Sequence, residues 1–184
     1  MNARRADYNF GLVPVKLKLL RAMMGSSDLD KLFRFDEKDG TEIIVVPLND
    51  PEQPVRFTVD SFWQWHFAGA YEKGGQIVVD FVRHPDFRSL GELDAPKERS
   101  GLGRLTRAFL EPRSKKMHVE MLWEHECELP RIDPRFEGGL HSKVFLSSDS
   151  CEHLLAKVNI EPGKVDSPPL KSTEYPSEIV MVPR

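Results

Sequence analysis

From Phe62 to Phe81 the chain reads FWQWHFAGAYEKGGQIVVDF, and this stretch constrains the fold more than any other. An aromatic run ends near His66, an acidic residue follows at Glu72, and Gly74-Gly75 then supply a tight turn. An apolar run from Ile77 to Phe81 comes after the turn. Two β-prone runs joined by Gly-Gly are a hairpin signal. The segment therefore predicts strand, turn, strand, with one imidazole, that of His66, carried on the first arm. The apolar run continues to Val82 without alternation, as expected of a strand buried on both faces.

The rest of the chain repeats this strand character. Ile43–Val46 is β-branched and bounded by Asp39-Gly40 and Pro47, and Val55–Val59 alternates. Phe62–Phe67 reads as a further strand. Arg104–Leu110 and Lys116–Trp123 predict a hairpin across Glu111-Pro112-Arg113-Ser114. In its second arm Met117, Val119, Met121 and Trp123 share one face, and His118 and Glu120 point the other way. Val144–Leu146, Leu154–Asn159 and Ile179–Val182 complete the set. Short strands at regular spacing, joined by Pro-, Gly- and Asp-rich connections, predict an all-β sandwich, barrel or propeller. The polar stretches Phe87–Gly103 and Pro162–Ser177 read as surface loops within one domain.

One segment is helix-like. Across Leu12–Met24 apolar residues recur at helical spacing, and Gly25-Ser26-Ser27 stop the pattern. Residues 1–30 are thus expected to be helical and residues 31–184 to be sheet. Lys16, Lys18 and Arg21 make the segment basic, so two roles stay open. It can face a core, or it can lie in a membrane interface.

Composition bounds the remaining classes. With 184 residues, 40% of them hydrophobic, the chain is large enough for a domain with a real core. A net charge of −3 and a pI near 6.1 give no basic face, so no nucleic-acid partner is expected. No apolar run approaches the roughly 18 residues of a membrane span. Arg4 and Arg5 are followed by Asp7, Tyr8 and Asn9 rather than an apolar signal core. A cytoplasmic location with reduced Cys127 and Cys151 is expected. Nucleophile-elbow, phosphate-loop and dinucleotide motifs are absent from the sequence.

Three constellations can carry chemistry. His66 stands among Phe62, Trp63, Trp65 and Phe67, and a neutral imidazole there is a good ligand for iron or zinc. The bland alternative is a buried histidine bonded to backbone, because a metal site needs several converging ligands. The other histidines form no H-x-x-x-H or H-x-H pair. In WEHECELPRIDPRFEGG, Trp123–Gly139, two prolines fix the backbone around Glu128. A carboxylate so held can accept a hydrogen bond from a metal-bound imidazole and orient it. Arg131, Asp133 and Arg135 read more plainly as surface ion pairs. In EYPSEIVMVPR, Glu178 heads an apolar run, a place where a carboxylate is ordinarily solvated.

Three segments resemble the carotenoid cleavage oxygenase family, in the same order and at similar spacing. Residues 62–81 resemble its third iron-histidine segment, with His66 in the ligand position. LPRIDPRF, Leu129–Phe136, resembles the F-P-R-I-D-P-R element and is preceded by a glutamate, here Glu128. SEIVMVPR, Ser177–Arg184, resembles the S-E-P-x-F-V-P-R element, whose glutamate is here Glu178. The resemblance implies a seven-bladed β-propeller in which four histidines bind Fe2+ and three glutamates support them. It implies cleavage of a conjugated double bond of a carotenoid, apocarotenoid or stilbene by O2, giving two carbonyl products.

Departures from the pattern set further expectations. Only His66 matches a ligand position; the first two ligands would precede Met1 and the fourth would follow Arg184. Gly69 stands where the family has Asn. The chain is therefore expected to be about three blades of the seven, a truncated and inactive piece. Peripheral membrane contact through Leu12, Leu19, Leu20 and Met23 is expected from the family's hydrophobic insertion. The competing expectations are a non-enzymatic module that binds an apolar ligand or a partner, and an unrelated β-sandwich.

Overall fold

The computed structural model describes residues 4–5, 8–9, 15–18, 23–24, 32–86, 103–148, 154–161, 164–167, 170–171 and 177–182. Its sheets are antiparallel throughout. Strands β1 (Arg4–Arg5), β2 (Tyr8–Asn9), β3 (Val15–Leu17) and β4 (Phe33–Phe35) come first. They are followed by β5 (Thr41–Pro47), β6 (Val55–Val59), β7 (Phe67–Lys73), β8 (Gln76–Arg83), β9 (Arg104–Glu111) and β10 (Lys116–Glu126). Strands β11 (Glu128–Arg131), β12 (Lys143–Ser148), β13 (Leu154–Asn159) and β14 (Val165–Asp166) complete the order.

These strands make three blade-like sheets and one extra pair. The sheets run β2-β5-β6, β1-β7-β8-β9-β10 and β11-β12-β13-β14, and β3 pairs with β4. Period-2 alternation explains how they stack. Ile77, Val79 and Phe81 of β8, with Ala108 and Leu110 of β9, face Ile43, Val45 and Phe57 of the first sheet. The even-numbered face of β8 and the odd-numbered face of β9 present Val82 and Leu105 to the third sheet. There they pack on Val144, Leu146, Ala156 and Val158. The middle sheet is thus covered on both faces, which is why β8 is apolar nearly throughout.

β10 passes from one core to the other. Met117 and Val119 pack on the first cluster, as the alternation predicts, whereas Leu122 and Trp123 pack on the second. A register shift between Met121 and Glu126 reverses the faces. Met121 is exposed as a result, which corrects the expected common face for Met117, Val119, Met121 and Trp123.

Several boundaries also move. The expected Leu12–Met24 helix does not begin where the periodicity places it. Val15–Leu17 is a strand paired with Phe33–Phe35, because tertiary pairing overrides a short helical pattern. Met23 has helical backbone, and Leu12, Leu19 and Leu20 lie outside the described residues. The described residues among 1–30 therefore do not form a separate helical part: β1 extends the middle sheet and β2 the first. Phe62–Phe67 is not a strand; β7 begins at Phe67, and Trp63 makes only an isolated bridge with His84. Ile179–Val182 carries no strand. The Phe87–Gly103 loop lies almost wholly outside the described residues, as does much of Pro162–Ser177.

Candidate functional site

His66 occupies the approach to β7, between the Trp63–His84 bridge and the first paired residue, Phe67. Its carbonyl accepts from Val82 N–H at 3.2 Å, which fixes the backbone against β8. Its side chain is 45% exposed. The ring lies at a sheet margin rather than buried among its aromatic neighbours.

Glu128 meets it there. Glu128 Oε2 lies 2.8 Å from His66 Nδ1, and Leu129 N–H donates to the same oxygen at 2.9 Å. The other oxygen, Oε1, lies 2.5 Å from His84 Nε2. A carboxylate offers only acceptors, so both imidazole nitrogens donate to it. With Nδ1–H committed to Glu128, the His66 nitrogen left for a ligand is Nε2. Burial alone would raise the Glu128 pKa. The hydrogen bonds from His84, Leu129 N–H and His66 outweigh it and hold the carboxyl below its ordinary value.

Local chain chemistry sets this carboxylate. Leu129 has a left-handed backbone, φ 54°, in a non-glycine residue followed by Pro130. That conformation costs about 1–2 kcal/mol and here turns Leu129 N–H back onto the side chain before it. Ser147 Oγ–H donates to the Glu128 carbonyl at 3.0 Å, and the register against β12 shifts between Glu128 and Arg131. The bulge aims the side chain toward the middle sheet.

The three sequence segments come together. Ala68, Arg131, Ile132, Pro134, Ile179 and Met181 line one shallow groove, so the first, second and third motifs are neighbours. Glu178 is placed differently from Glu128. Its Oε2 accepts from Arg131 Nη2 at 3.0 Å, and its side chain is 57% exposed. Among the described residues it is Arg131, not His66, that engages it. The plain reading of the arginines holds: Arg135 pairs with Asp133, which also caps the short 3₁₀ turn Pro134–Phe136. Among the described residues, no group of three His, Cys, Asp or Glu side chains converges so as to hold a metal ion.

Sequence reasoning missed two features. One is His84, fully buried with its Nε2 on Glu128. The other is a buried cluster on the face of the middle sheet that meets the third. Arg107 binds Asp80 through two 2.8 Å bonds across β8 and β9, and His141 Nε2 lies 2.7 Å from Asp80 Oδ2. Arg107 also lies over the Tyr71 ring at 5.8 Å. The signal was present: one acid inside the apolar run of β8 and one arginine inside β9, each requiring a partner.

Antiparallel sheets stacked as blades, with a glutamate-held imidazole at one margin, define a segment of a β-propeller of about three blades. The chain superposes over 100% of its length on cobalt-substituted Synechocystis apocarotenoid oxygenase, with a TM-score of 0.86 and 21% identity, and covers 40% of that chain. It also superposes on an ACO/RPE65 chimera, with a TM-score of 0.72 and 20% identity over 89% of this chain and 38% of that one. In sequence it is 22% identical over 183 residues to the apocarotenoid-15,15'-oxygenase of Synechocystis, spanning 92% of this chain and 36% of that protein. A match to the retinal pigment epithelial membrane protein family runs over residues 10–184, and the chain belongs to that family.

Proposed function

We propose that this chain is part of an iron(II)-dependent oxygenase that cleaves a conjugated double bond of a carotenoid, apocarotenoid or stilbene to carbonyl products. The single observation that carries the reading is the His66–Glu128 pair. A hydrogen-bonded carboxylate on Nδ1 fixes the tautomer and ring angle of an imidazole whose Nε2 is the remaining donor. Family membership, with an apocarotenoid oxygenase among the relatives, supplies the chemical class.

The residues fit one corner of a metal centre. His66 would hold the iron, Glu128 would orient His66, and Glu178, held by Arg131, is left for another imidazole. When bound, the iron supplies the activation of O2. The chain's own residues present a ligand nitrogen, fix its direction and border a partly apolar groove. Peripheral membrane contact through Leu12, Leu19, Leu20 and Met23 rests on sequence, with Met23 exposed. It predicts cosedimentation with liposomes that is lost when Met23 and Leu20 become Ser.

A graft tests the assignment. Residues 1–184 would replace the matched segment of the Synechocystis enzyme, whose fold accepts segments of a relative in solved chimeras. The graft is expected to bind iron and convert an apocarotenal to carbonyl products. His66→Ala should abolish both, and Glu128→Gln should lower metal affinity or activity about 10–100-fold. A folded graft that binds iron equally with and without the His66 imidazole would refute the assignment. A second reading, a non-enzymatic apolar-ligand module, draws on the exposed Val180 and Val182 beside the groove. Retention of the polyene without any carbonyl product would favour it.

A further inference from the structure

We propose that His84 is a positioning residue for the metal-binding imidazole: it holds the second oxygen of Glu128 and thereby the ring of His66. The inference rests on the assignment of His66 as a ligand and extends it to a residue outside the three recognised motifs.

The geometry is specific. Glu128 has two carboxylate oxygens with different tasks. Oε2 takes His66 Nδ1 at 2.8 Å and Leu129 N–H at 2.9 Å, and Oε1 takes His84 Nε2 at 2.5 Å. Two donors on Oε2 locate that oxygen, but the carboxylate plane can still rotate about it. A donor on Oε1 stops the rotation, and the direction of the Oε2 lone pair facing His66 is then set. Charge-assisted bonds of this kind are short and strong, so each removes real freedom.

His84 is itself immobilised. Its side chain is 0% exposed, against 45% for His66. Its backbone is tied in both directions to Trp63, with Trp63 N–H to His84 O at 3.0 Å and His84 N–H to Trp63 O at 2.8 Å. Trp63 lies three residues before His66, so one bridge anchors both the ligand segment and the residue that braces its glutamate.

Gly103 makes the room. A Cβ there would lie 2.7 Å from His84 Nε2 and 2.2 Å from Val82 Cγ1. Any side chain at 103 would push the ring away from Glu128. The Gly103 carbonyl meanwhile accepts from Cys127 N–H at 2.9 Å, immediately before Glu128. The backbone that leaves space for the ring also holds the strand that delivers the carboxylate.

The test reads side-chain imidazole nitrogens by 15N NMR in the metal-free chain, so it does not depend on activity. In the wild type, His66 is expected as the Nδ1–H tautomer and His84 with Nε2–H, both protons shifted downfield and protected from exchange. His84→Phe should release Glu128 and return His66 to the exchanging, mainly Nε2–H form of free histidine. His84→Gln, whose amide donates near the position of Nε2, should restore the Nδ1–H form.

Unchanged His66 signals in His84→Phe would overturn the proposal. So would a wild-type spectrum without the protected His84 proton, a readout that holds even if the variant does not fold. Glu128→Leu, which removes both acceptor oxygens, separates the two levels. If it alone changes the His66 tautomer, His84 is only structural and the His66–Glu128 pairing stands. If neither variant changes it, the pairing itself fails.

Discussion

Gly69 is where a single missing Cβ matters most. A Cβ there would lie 2.6 Å from Ile132 Cδ1 and 3.2 Å from His141 Cε1. This accounts for glycine at the position where the family has Asn: Ile132 and the buried His141 already fill the space. Gly69→Ala is expected to destabilise by about 1–3 kcal/mol through overpacking. Adding Ile132→Val, which removes the nearest atom, should recover part of that loss, as read by urea midpoints of the single and double variants. At this scale the hydrogen bond from His66 to Glu128, 62 residues apart, was expected, because the family resemblance supplies a motif around each of them. His84 was not. Its role depends on a carboxylate 44 residues away, and nothing adjacent to it in the chain announces that partner.

At the scale of elements, the hairpin β9–β10 offers the cleanest test of backbone strain. Lys115 lies in its turn, exposed, with φ 56°. A left-handed lysine costs about 1–2 kcal/mol that glycine avoids, offset in part by the greater freedom of an unfolded glycine. Lys115→Gly should therefore add about 0.5–1 kcal/mol of stability, read as a higher urea midpoint at unchanged m-value. The strands themselves were readable wherever a β-branched run lay between turn residues, as in β5 and β8. For three of the misread elements the reason is identifiable. In Val15–Leu17 the chance helical spacing lost to pairing with Phe33–Phe35. In Phe62–Phe67 the aromatic residues serve a bridge and a ring cluster rather than a ladder, with Trp63 and Trp65 edge to face at 4.9 Å. In β10 a bulge, invisible to alternation, exchanges the two faces.

For the whole molecule, the Asp80–Arg107–His141 cluster ties the middle sheet to the segment leading into β12. Burial works against the Asp80 charge, and the bonds from Arg107 and His141 more than offset it, so its pKa is lowered from 3.8. A lowered carboxyl stabilises the fold above its ordinary value and loses that contribution as pH falls through the folded value. Acid unfolding should therefore steepen below about pH 4. Asp80→Asn, which strands a buried arginine, should cost about 3–5 kcal/mol at neutral pH and flatten the acid limb. Metal binding also belongs to this scale. One glutamate-held imidazole cannot replace a converging set, so the isolated chain is expected to bind Fe2+ weakly and to cleave no polyene. Equilibrium dialysis showing tight one-to-one iron binding, together with alkene cleavage by the purified chain, would refute this. Propeller geometry was legible only through the ordered motifs, because blades that do not repeat in sequence leave strand spacing common to sandwiches and barrels.

Cys127 adds a consequence for experiment. Its free thiol is buried in the second core, and burial pushes its pKa up to about 12, so it has little thiolate at neutral pH. A disulfide reagent can reach it only when the two neighbouring sheets part. With Cys151 replaced by serine, the labelling rate of Cys127 becomes a native clock for that parting, and it should quicken in any variant that loosens the seam.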